Sequence, residues 1–324
     1  MRPTGNLHLG HLVGALRNWT TLQADYDCFY FVADWHALTS EYADTSGVMP
    51  SAYDNVVDWI AAGIDPERST VFIQSLVPEH AELSLLLSMV VPIPWLERVP
   101  TYKEQREQLS EKDLSTLGFL GYPLLQTADV IMYDAQFVPV GEDQVPHLEL
   151  SREVVRRFHG FYGRVFVEPQ PLLTHFPRLP GLDNRKMSKS YQNAIDLADT
   201  AEAVRKKVMQ MYTDPKRIRA DIPGTVEGNP VFLYHDAFNT DEAEVQDLKT
   251  RYREGRVGDV EVKQKLARAL NAVLEPMRER RQELLARPDR IREILFEGSA
   301  RARAIAAQTM ERVREAMKIS YRRG

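Results

Sequence analysis

Two histidines near the start of the chain have the spacing and the neighbours to bind a phosphate. His8 and His11 flank a Leu-Gly pair in the stretch GNLHLGHLVGAL, and an apolar run with helical spacing follows at once. We expect a helix to begin near Gly10, where unpaired backbone N–H groups and the helix dipole favour an anion. Glycine allows close approach to the backbone, and imidazole can donate to phosphate oxygens. A metal site is the less favoured alternative, because no third ligand is evident.

A second segment that could bind phosphates is RKMSKS, residues 185–190, which follows the Pro/Gly-rich stretch PRLPGLDN. Lys186 and Lys189 flank small and flexible residues, so such a loop can bring two ammonium groups onto a polyphosphate. A single K-x-x-K pattern is equally typical of a solvated basic loop, and H-x-G-H alone recurs by chance. The two patterns together, in one chain, are much more specific.

The elements that must position these residues alternate in the first half of the chain. Residues 27–35 and 69–77 are short, β-branched and aromatic, which predicts strands, and residues 51–65 between them have helical spacing. This alternation predicts a doubly wound α/β fold with a parallel sheet. Residues 213–230 are rich in Pro and Gly, which predicts a loop. The segments after this loop have helical spacing, and Gly298 and Ser299 are expected to cap the last of these helices. The predicted helices are 242–255, 260–287 and 298–319.

This change of pattern predicts two domains, an α/β catalytic domain over 1–194 and an all-helical domain over 195–324. The net charge of −5 is divided unevenly, with −11 in residues 1–200 and +6 in residues 201–324. A basic C-terminal region is a weak indication of a polyanionic partner, and a solvated helical surface explains the charge equally well.

Composition narrows the class of protein. Cys28 is the only cysteine, so the sequence excludes an intramolecular disulfide and a cysteine-based metal site. The sequence contains no run of about 18 apolar residues, so it predicts no membrane span, and no signal peptide is visible at the N-terminus. We therefore expect a cytoplasmic protein.

The pair HLGH and KMSKS identifies a resemblance to the class I aminoacyl-tRNA synthetases, whose signatures read HIGH and KMSKS. The segments VADWHALTS, QSLVPEHAELS and GYPLLQTADVIMYDAQFVPVGEDQVPHLELSREVVRRF resemble the bacterial tryptophanyl-tRNA synthetases, and the likeness spans nearly the whole chain. It implies a Rossmann-like catalytic domain, activation of L-tryptophan with ATP to tryptophanyl-AMP and pyrophosphate, and transfer of the amino acid to tRNA(Trp). It also implies a homodimer.

The middle of the chain contains a candidate amino-acid pocket. Tyr122, Gln126 and Asp129 stand at i, i+4 and i+7 of one predicted helix and so share a face. A carboxylate on a mostly apolar face needs a hydrogen-bond donor, such as an indole N–H, although an arginine or a turn could also provide one. The resemblance implies that Asp129 binds the indole nitrogen. His36 is also assigned to the pocket, with a purely structural histidine as the alternative. The implied tryptophan-binding residues are Asp129, Tyr122, Gln126, His36, Val138, Val140 and Gln144.

The resemblance also implies the ATP site and its chemistry. Catalysis is assigned to the residues of the two motifs, with Mg²⁺ held mainly by the phosphates and no protein ligand for it. For Lys103, an exposed lysine without a role is an equally good interpretation. The implied catalytic residues are Lys186, Lys189, His8 and His11. The implied ATP-binding residues are Pro3, Thr4, Gly10, His11, Lys103, Gly141, Glu142, Asp143, Leu179, Lys186, Met187, Ser188, Lys189 and Ser190. Generic candidates for tRNA phosphate contacts are Arg251, Arg253, Arg278, Arg281 and the C-terminal YRRG.

The sequence departs from the family pattern in two places. His11 stands where asparagine is usual, and Arg2 stands where glutamine is usual. The family has a strand before the histidine loop, so we expect that the first strand is truncated here and that several residues precede Met1. Three alternatives stay open: a tyrosine-specific enzyme, a small nucleotidyltransferase, and a paralogue that only binds tryptophan or ATP.

Overall fold

Among the described residues, the α/β part contains four short strands that form two parallel pairs. The computed structural model describes residues 1–99, 114–173, 179–187, 191–215, 217 and 219–321. Strands β1 (Phe29–Val32) and β2 (Thr70–Ile73) pair in parallel, with Phe29 opposite Thr70. Strands β3 (Phe137–Val140) and β4 (Gln170–Leu173) form a second parallel pair. The predicted strands at 27–35 and 69–77 are confirmed, and so is their parallel arrangement.

A continuous helical segment follows the histidine loop and contains a wider turn. It consists of α1 (Leu9–His11), a π-helical stretch (Leu12–Leu16) and α2 (Arg17–Leu22). Leu12, Val13 and Leu16 of this stretch are buried in the core. Single π-helical turns are uncommon and occur most often beside functional sites. The predicted helix start near Gly10 is confirmed.

The remaining helices of the first half surround the strands. The helix predicted over 51–65 is confirmed, and the helix predicted to carry Tyr122, Gln126 and Asp129 is α7. Short 3₁₀ turns at Gln74–Leu76 and Glu142–Gln144 follow β2 and β3. The helices are α3 (Asp34–Glu41), α4 (Val48–Ala62), α5 (Glu79–Ser88), α6 (Ile93–Glu97), α7 (Leu117–Ile131) and α8 (Val145–Tyr162).

Beyond residue 195 the described chain is helical, as predicted. The loop predicted over 213–230 is confirmed for its described residues. The prediction for the last helix was wrong at its start, because Pro288 begins the helix ten residues earlier and Gly298 lies inside it. The helices are α9 (Ala201–Met209), α10 (Pro230–Phe238), α11 (Glu242–Arg253), α12 (Asp259–Leu285) and α13 (Pro288–Ala316).

The C-terminal helices share both hydrophobic cores with the α/β part. One core joins residues such as Leu9 and Val32 to Leu266 of α12. The other core joins Phe72 of β2 to Met310 of α13. Burial of these apolar side chains therefore stabilises the two regions together. The boundary at 194/195 between a catalytic domain and a helical domain stays a prediction.

Helix α13 makes an unusually close contact with β2. A Cβ atom on Gly298 would lie 1.8 Å from the carbonyl oxygen of Val71, so only glycine fits there. The neighbouring Ser299 accepts a hydrogen bond from the backbone N–H of Ile73 at 3.3 Å. The helix thus covers β2 and also satisfies a backbone donor of that strand.

The backbone of Met1 lies beside the end of β1. Its nitrogen donates to the carbonyl of Phe31 at 2.6 Å, and its carbonyl accepts from the N–H of Ala33 at 2.8 Å. Residue 1 is therefore anchored to the end of β1 by two backbone hydrogen bonds. The strand expected before this loop stays a prediction. In the described ranges, no helix is long and apolar enough to cross a membrane.

The contact between α13 and β2 predicts opposite effects of the same substitution at two helical glycines. Gly298→Ala should lower the free energy of unfolding by about 1–3 kcal/mol, because the methyl group must displace the strand or the helix. Gly160→Ala is the matched control, since a Cβ there meets no atom within 4 Å, and it should stabilise by up to about 1 kcal/mol. Urea unfolding of both variants measures this. Equal effects would contradict the close contact.

Candidate active site

The backbone of the histidine loop fixes the orientation of both imidazole rings. The Nδ1 atom of His8 accepts from the N–H of Gly10 at 3.1 Å, and the Nδ1 atom of His11 accepts from the N–H of His8 at 3.1 Å. The ring centroids are 3.9 Å apart. Because each Nδ1 accepts, each neutral ring carries its hydrogen on Nε2. The loop therefore provides two ring N–H donors at the start of a helix.

The histidine loop, residues 8–11, contacts the described part of the lysine loop, residues 185–187. A Cβ on Gly10 would lie 3.1 Å from the sulfur of Met187. The chain that follows the lysine loop pairs with the histidine loop, since Leu9 donates to the carbonyl of Ile195 at 3.0 Å and Leu197 donates to that of Leu7 at 2.9 Å. The structure thus brings the two predicted motifs together. Ser188, Lys189 and Ser190 lie outside the described residues.

The base of the lysine loop is held by Asn193. Its amide nitrogen donates to a carboxylate oxygen of Asp183 at 2.8 Å and to the carbonyl of Lys186 at 3.1 Å. The hydrogen bonds from Asn193 and Arg185 lower the pKa of Asp183 to about 2. The guanidinium of Arg185 also lies 4.4 Å from the ring centroid of Tyr191. These contacts fix the backbone of Lys186, whose side chain is exposed.

A buried carboxylate forms the centre of the predicted amino-acid pocket. Asp129 is only 5% exposed. Its Oδ2 is 2.8 Å from Nε2 of His36, and its Oδ1 is 2.7 Å from both Nε2 of Gln74 and Nδ1 of His80. Burial alone raises the pKa of Asp129, but the hydrogen bonds from His36 and His80 outweigh it and hold the pKa below its ordinary value. The site therefore holds an ionised carboxylate.

Sequence reasoning missed Gln74 and His80. Both residues follow β2, in the 3₁₀ turn and at the start of α5, and the segment QSLVPEHAELS contains them. Polar residues just beyond the carboxyl end of a parallel strand are the usual signal of a binding site in open α/β sheets. The contact between His36 and Asp129 shows that His36 takes part in this buried cluster.

Tyr122 lines the same site. Its ring meets that of His36 edge-on at 5.5 Å between centroids, and its hydroxyl is 3.2 Å from Nε2 of His147. Burial raises the pKa of Tyr122 to about 12 and lowers the pKa of His147 to about 4. Both side chains are therefore neutral near pH 7 and can exchange hydrogen bonds without a charge.

Two buried amide oxygens beside this cluster lack a partner among the described residues. They are Oε1 of Gln126 and Oε1 of Gln74. Gln126 stands one turn from Asp129 on α7. Unpaired buried acceptors cost about 1–3 kcal/mol each, so acceptors at a binding site indicate a ligand rich in donors.

The structure locates the other predicted residues without testing their roles. Val138 and Val140 are half-buried on β3, and Gln144 donates to Asp143 at 3.1 Å. Pro3 is buried, whereas Glu142 and Asp143 are exposed. The roles of these residues and of Thr4, Gly141 and Leu179 stay predictions, and Lys103 lies outside the described residues.

The four arginines offered as tRNA contacts all have carboxylate partners within the chain. Arg281 of α12 pairs with Asp54 and Asp58 of α4, which ties the helical region to the α/β part. Arg278 also donates to the carbonyl of Asp199 at 2.8 Å. These two arginines therefore stabilise the fold. The remaining pairs are Arg251 with Asp247 and Glu261, Arg253 with Glu227, and Arg278 with Glu275.

The sequence of this chain is similar to those of known proteins. The model of the class I tRNA synthetases of the W and Y type matches residues 1–275. A tryptophan–tRNA ligase of Thermotoga maritima is 49% identical over 322 residues, which cover 99% of this chain and 98% of that protein. A tryptophan–tRNA ligase of Aquifex aeolicus is 44% identical over an alignment of 388 residues, which covers 98% of this chain and 98% of that protein.

A solved structure agrees with these matches. The tryptophanyl-tRNA synthetase of Campylobacter jejuni, complexed with ADP and tryptophan, superposes with a TM-score of 0.88 at 31% identity and covers 98% of each chain. The predicted Rossmann-like fold is thereby confirmed. With the two motif loops in contact, the buried Asp129 on α7 and these full-length matches, the chain belongs to the class I tRNA synthetases of the W and Y type.

Proposed function

We propose that this protein activates L-tryptophan with ATP, releasing pyrophosphate, and then transfers the tryptophanyl group to tRNA(Trp). The observation that carries the proposal is the buried carboxylate of Asp129 on α7, which is surrounded by hydrogen-bonding groups of His36, Gln74 and His80 and which we infer to be ionised. An ionised carboxylate can only accept hydrogen bonds, and an indole N–H can only donate one. The names of the relatives support the same assignment.

We assign further residues of the amino-acid site to the rest of the substrate. Oε1 of Gln126 is a buried acceptor one turn from Asp129, and we assign it to the α-ammonium group, with the hydroxyl of Tyr122 beside it. We assign Val138 and Val140 to the sides of the ring slot, and Gln144 to the polar end of the substrate. His36 acts through Asp129, because its Nε2 donates to the carboxylate.

We propose that ATP binds where the two motif loops meet. The tryptophan carboxylate attacks the α-phosphorus of ATP. The bond between the α-phosphorus and the oxygen that bridges it to the β-phosphorus breaks, and pyrophosphate leaves. The chain stabilises this charge through ring N–H donors of His8 and His11, the helix N-terminus beyond Gly10, and Lys186. Mg²⁺ would be held by the phosphates. The described residues contain no group of three or more His, Cys, Asp or Glu side chains that could hold a metal ion.

Further residues complete the proposed ATP site. We assign Met187 to this site because its sulfur lies against Gly10 of the histidine loop. Lys189 adds a second ammonium group for the phosphates, and Lys103 a third. We assign the adenosine and the remaining loop contacts to Pro3, Thr4, Gly141, Glu142, Asp143, Leu179, Ser188 and Ser190.

We propose that the helical region from residue 195 binds tRNA. Its net charge over 201–324 is +6, which suits a phosphate backbone. Because Arg278 and Arg281 hold the fold together, the contacts fall to other basic residues of α12, α13 and the C-terminus. We propose a cytoplasmic protein, because charging of tRNA serves translation.

An exposed apolar surface supports a homodimer. Met89 is 67% exposed, Ile93 60% and Phe161 59%. Arg157 joins them, since its guanidinium lies 5.5 Å from the ring of Trp95 and 5.2 Å from that of Phe161. We propose that this patch, made of Met89, Ile93, Trp95, Arg157 and Phe161, pairs with its copy in a second chain.

ATP–pyrophosphate exchange tests the proposed reaction. We expect exchange with tryptophan and not with tyrosine, since a site that hydrogen-bonds its substrate can discriminate by roughly 10⁴–10⁵. Asp129→Asn should lower kcat/KM for tryptophan by at least about 100-fold, because the amide presents a donor to the indole N–H. Exchange with tyrosine alone would favour the tyrosine enzyme. No exchange with either would favour a protein that only binds tryptophan or ATP.

The proposed role of Lys186 predicts that its loss lowers the rate of the exchange reaction and leaves tryptophan binding almost unchanged. Lys186→Ala should lower kcat of the exchange by about 10²–10³-fold, because the ammonium group stabilises charge that develops in the transition state. KM for tryptophan should change little. Lys206→Ala, which removes another exposed charge, from α9, is the control and should keep the wild-type rate. Similar losses in both variants would contradict a specific role for Lys186.

The apolar patch predicts a dimer that one charge can weaken. Ile93→Arg should raise the dimer dissociation constant at least about tenfold, because it buries an unpaired charge in the interface. Val260→Arg is the control, since Val260 is 58% exposed near the start of α12. Sedimentation velocity over a concentration series measures both. A wild-type monomer at micromolar concentration would contradict the proposed homodimer.

A further inference from the structure

The hydrogen bonds around Asp129 are divided unevenly between its two oxygens. Oδ1 accepts from Nε2 of Gln74 and from Nδ1 of His80, both at 2.7 Å. Among the described residues, Oδ2 accepts only from His36, at 2.8 Å. A carboxylate offers about four lone-pair sites, two on each oxygen. Oδ1 is therefore filled, whereas Oδ2 has room for one more donor.

His80 is held rigidly on both sides. Its Nδ1 faces a carboxylate, which only accepts, so Nδ1 carries a hydrogen. Its Nε2 is 2.6 Å from the hydroxyl of Tyr133, so the other side of the ring is also held by a hydrogen bond. The ring is 0% exposed, and the rings of Phe31 and Phe72 pack against it with centroids 6.0 Å away. These contacts leave His80 no room to turn its donor away from Asp129.

We propose that His80 and Gln74 are positioning residues that fill Oδ1 of Asp129 and thereby direct the ring N–H of the bound amino acid to Oδ2. This inference rests on the proposed function, in which Asp129 binds the indole nitrogen. With both residues in place, the carboxylate has one orientation and one open site. Without them, Asp129 can rotate and offer either oxygen, so the geometry of the N–H contact is lost.

A positioning role and a purely structural role predict different results. His80 links α5 to α7, so a structural defect would lower activity toward every amino acid alike. A positioning defect instead lowers activity only toward a substrate that carries the ring N–H. The sulfur isostere of tryptophan, 3-(benzothiophen-3-yl)alanine, has the same ring shape without that donor. The readout is the ratio of kcat/KM for tryptophan to kcat/KM for this analogue.

The matched variants are His80→Asn and His80→Gln, measured by ATP–pyrophosphate exchange. The amide nitrogen of asparagine can occupy the place of Nδ1, whereas that of glutamine reaches the place of Nε2. We expect His80→Gln to lower the ratio at least about tenfold, and His80→Asn to stay within about threefold of wild type. Gln74→Met, which keeps the length of the side chain, should lower the ratio several-fold and serves if the His80 variants do not fold.

An unchanged ratio in His80→Gln and Gln74→Met would overturn the inference while leaving the proposed function intact. Equal losses toward both amino acids would also overturn it, because they indicate a structural role. Equal use of tryptophan and the sulfur analogue by the wild-type enzyme would show that Asp129 does not bind the ring N–H. A wild-type enzyme that does not use tryptophan would contradict the proposed function itself.

Discussion

The structure depends on keeping one charge ionised away from water. Asp129 is almost fully buried, and an isolated carboxylate in such a place would cost several kcal/mol or take up a proton. Donors from α3, from the turn after β2, and from α5 prevent this. Because these three segments must converge on α7, the carboxylate fixes the arrangement of the elements around it. The same donors leave one acceptor site open for a substrate.

The proposed phosphate-binding side of the site depends on exposed donor groups rather than on a buried charge. Its described groups are backbone amides, ring N–H donors and the exposed Lys186, which need little burial to attract a polyanion. Rigidity comes instead from the chain itself, since residues 195–197 pair with the histidine loop and Asn193 holds the base of the lysine loop. The lysine loop is thus anchored at its base while the side chain of Lys186 remains exposed. This arrangement suits a reaction that proceeds mainly by positioning and neutralising charge.

The sequence was sufficient for the fold class, the strands β1 and β2, and the face shared by Tyr122, Gln126 and Asp129. These features depend on local periodicity and on turn residues. The partners of Asp129 could not be predicted, because Gln74 and His80 are 55 and 49 residues away in the chain. The start of α13 was also misplaced, since Gly298 resembled a cap. Its actual role is a close contact with β2, which no local pattern reveals.

We infer that Asp129 is an ionised hydrogen-bond acceptor at neutral and mildly acidic pH. The most direct test is the ¹³Cγ NMR resonance of Asp129 in aspartate-labelled protein, assigned by its absence in Asp129→Asn and followed from pH 8 to pH 5. Because His36 and His80 hold its pKa below the ordinary value, we predict the chemical shift of a carboxylate throughout. A resonance that titrates within this range, or that corresponds to a protonated acid at pH 7, would contradict the account.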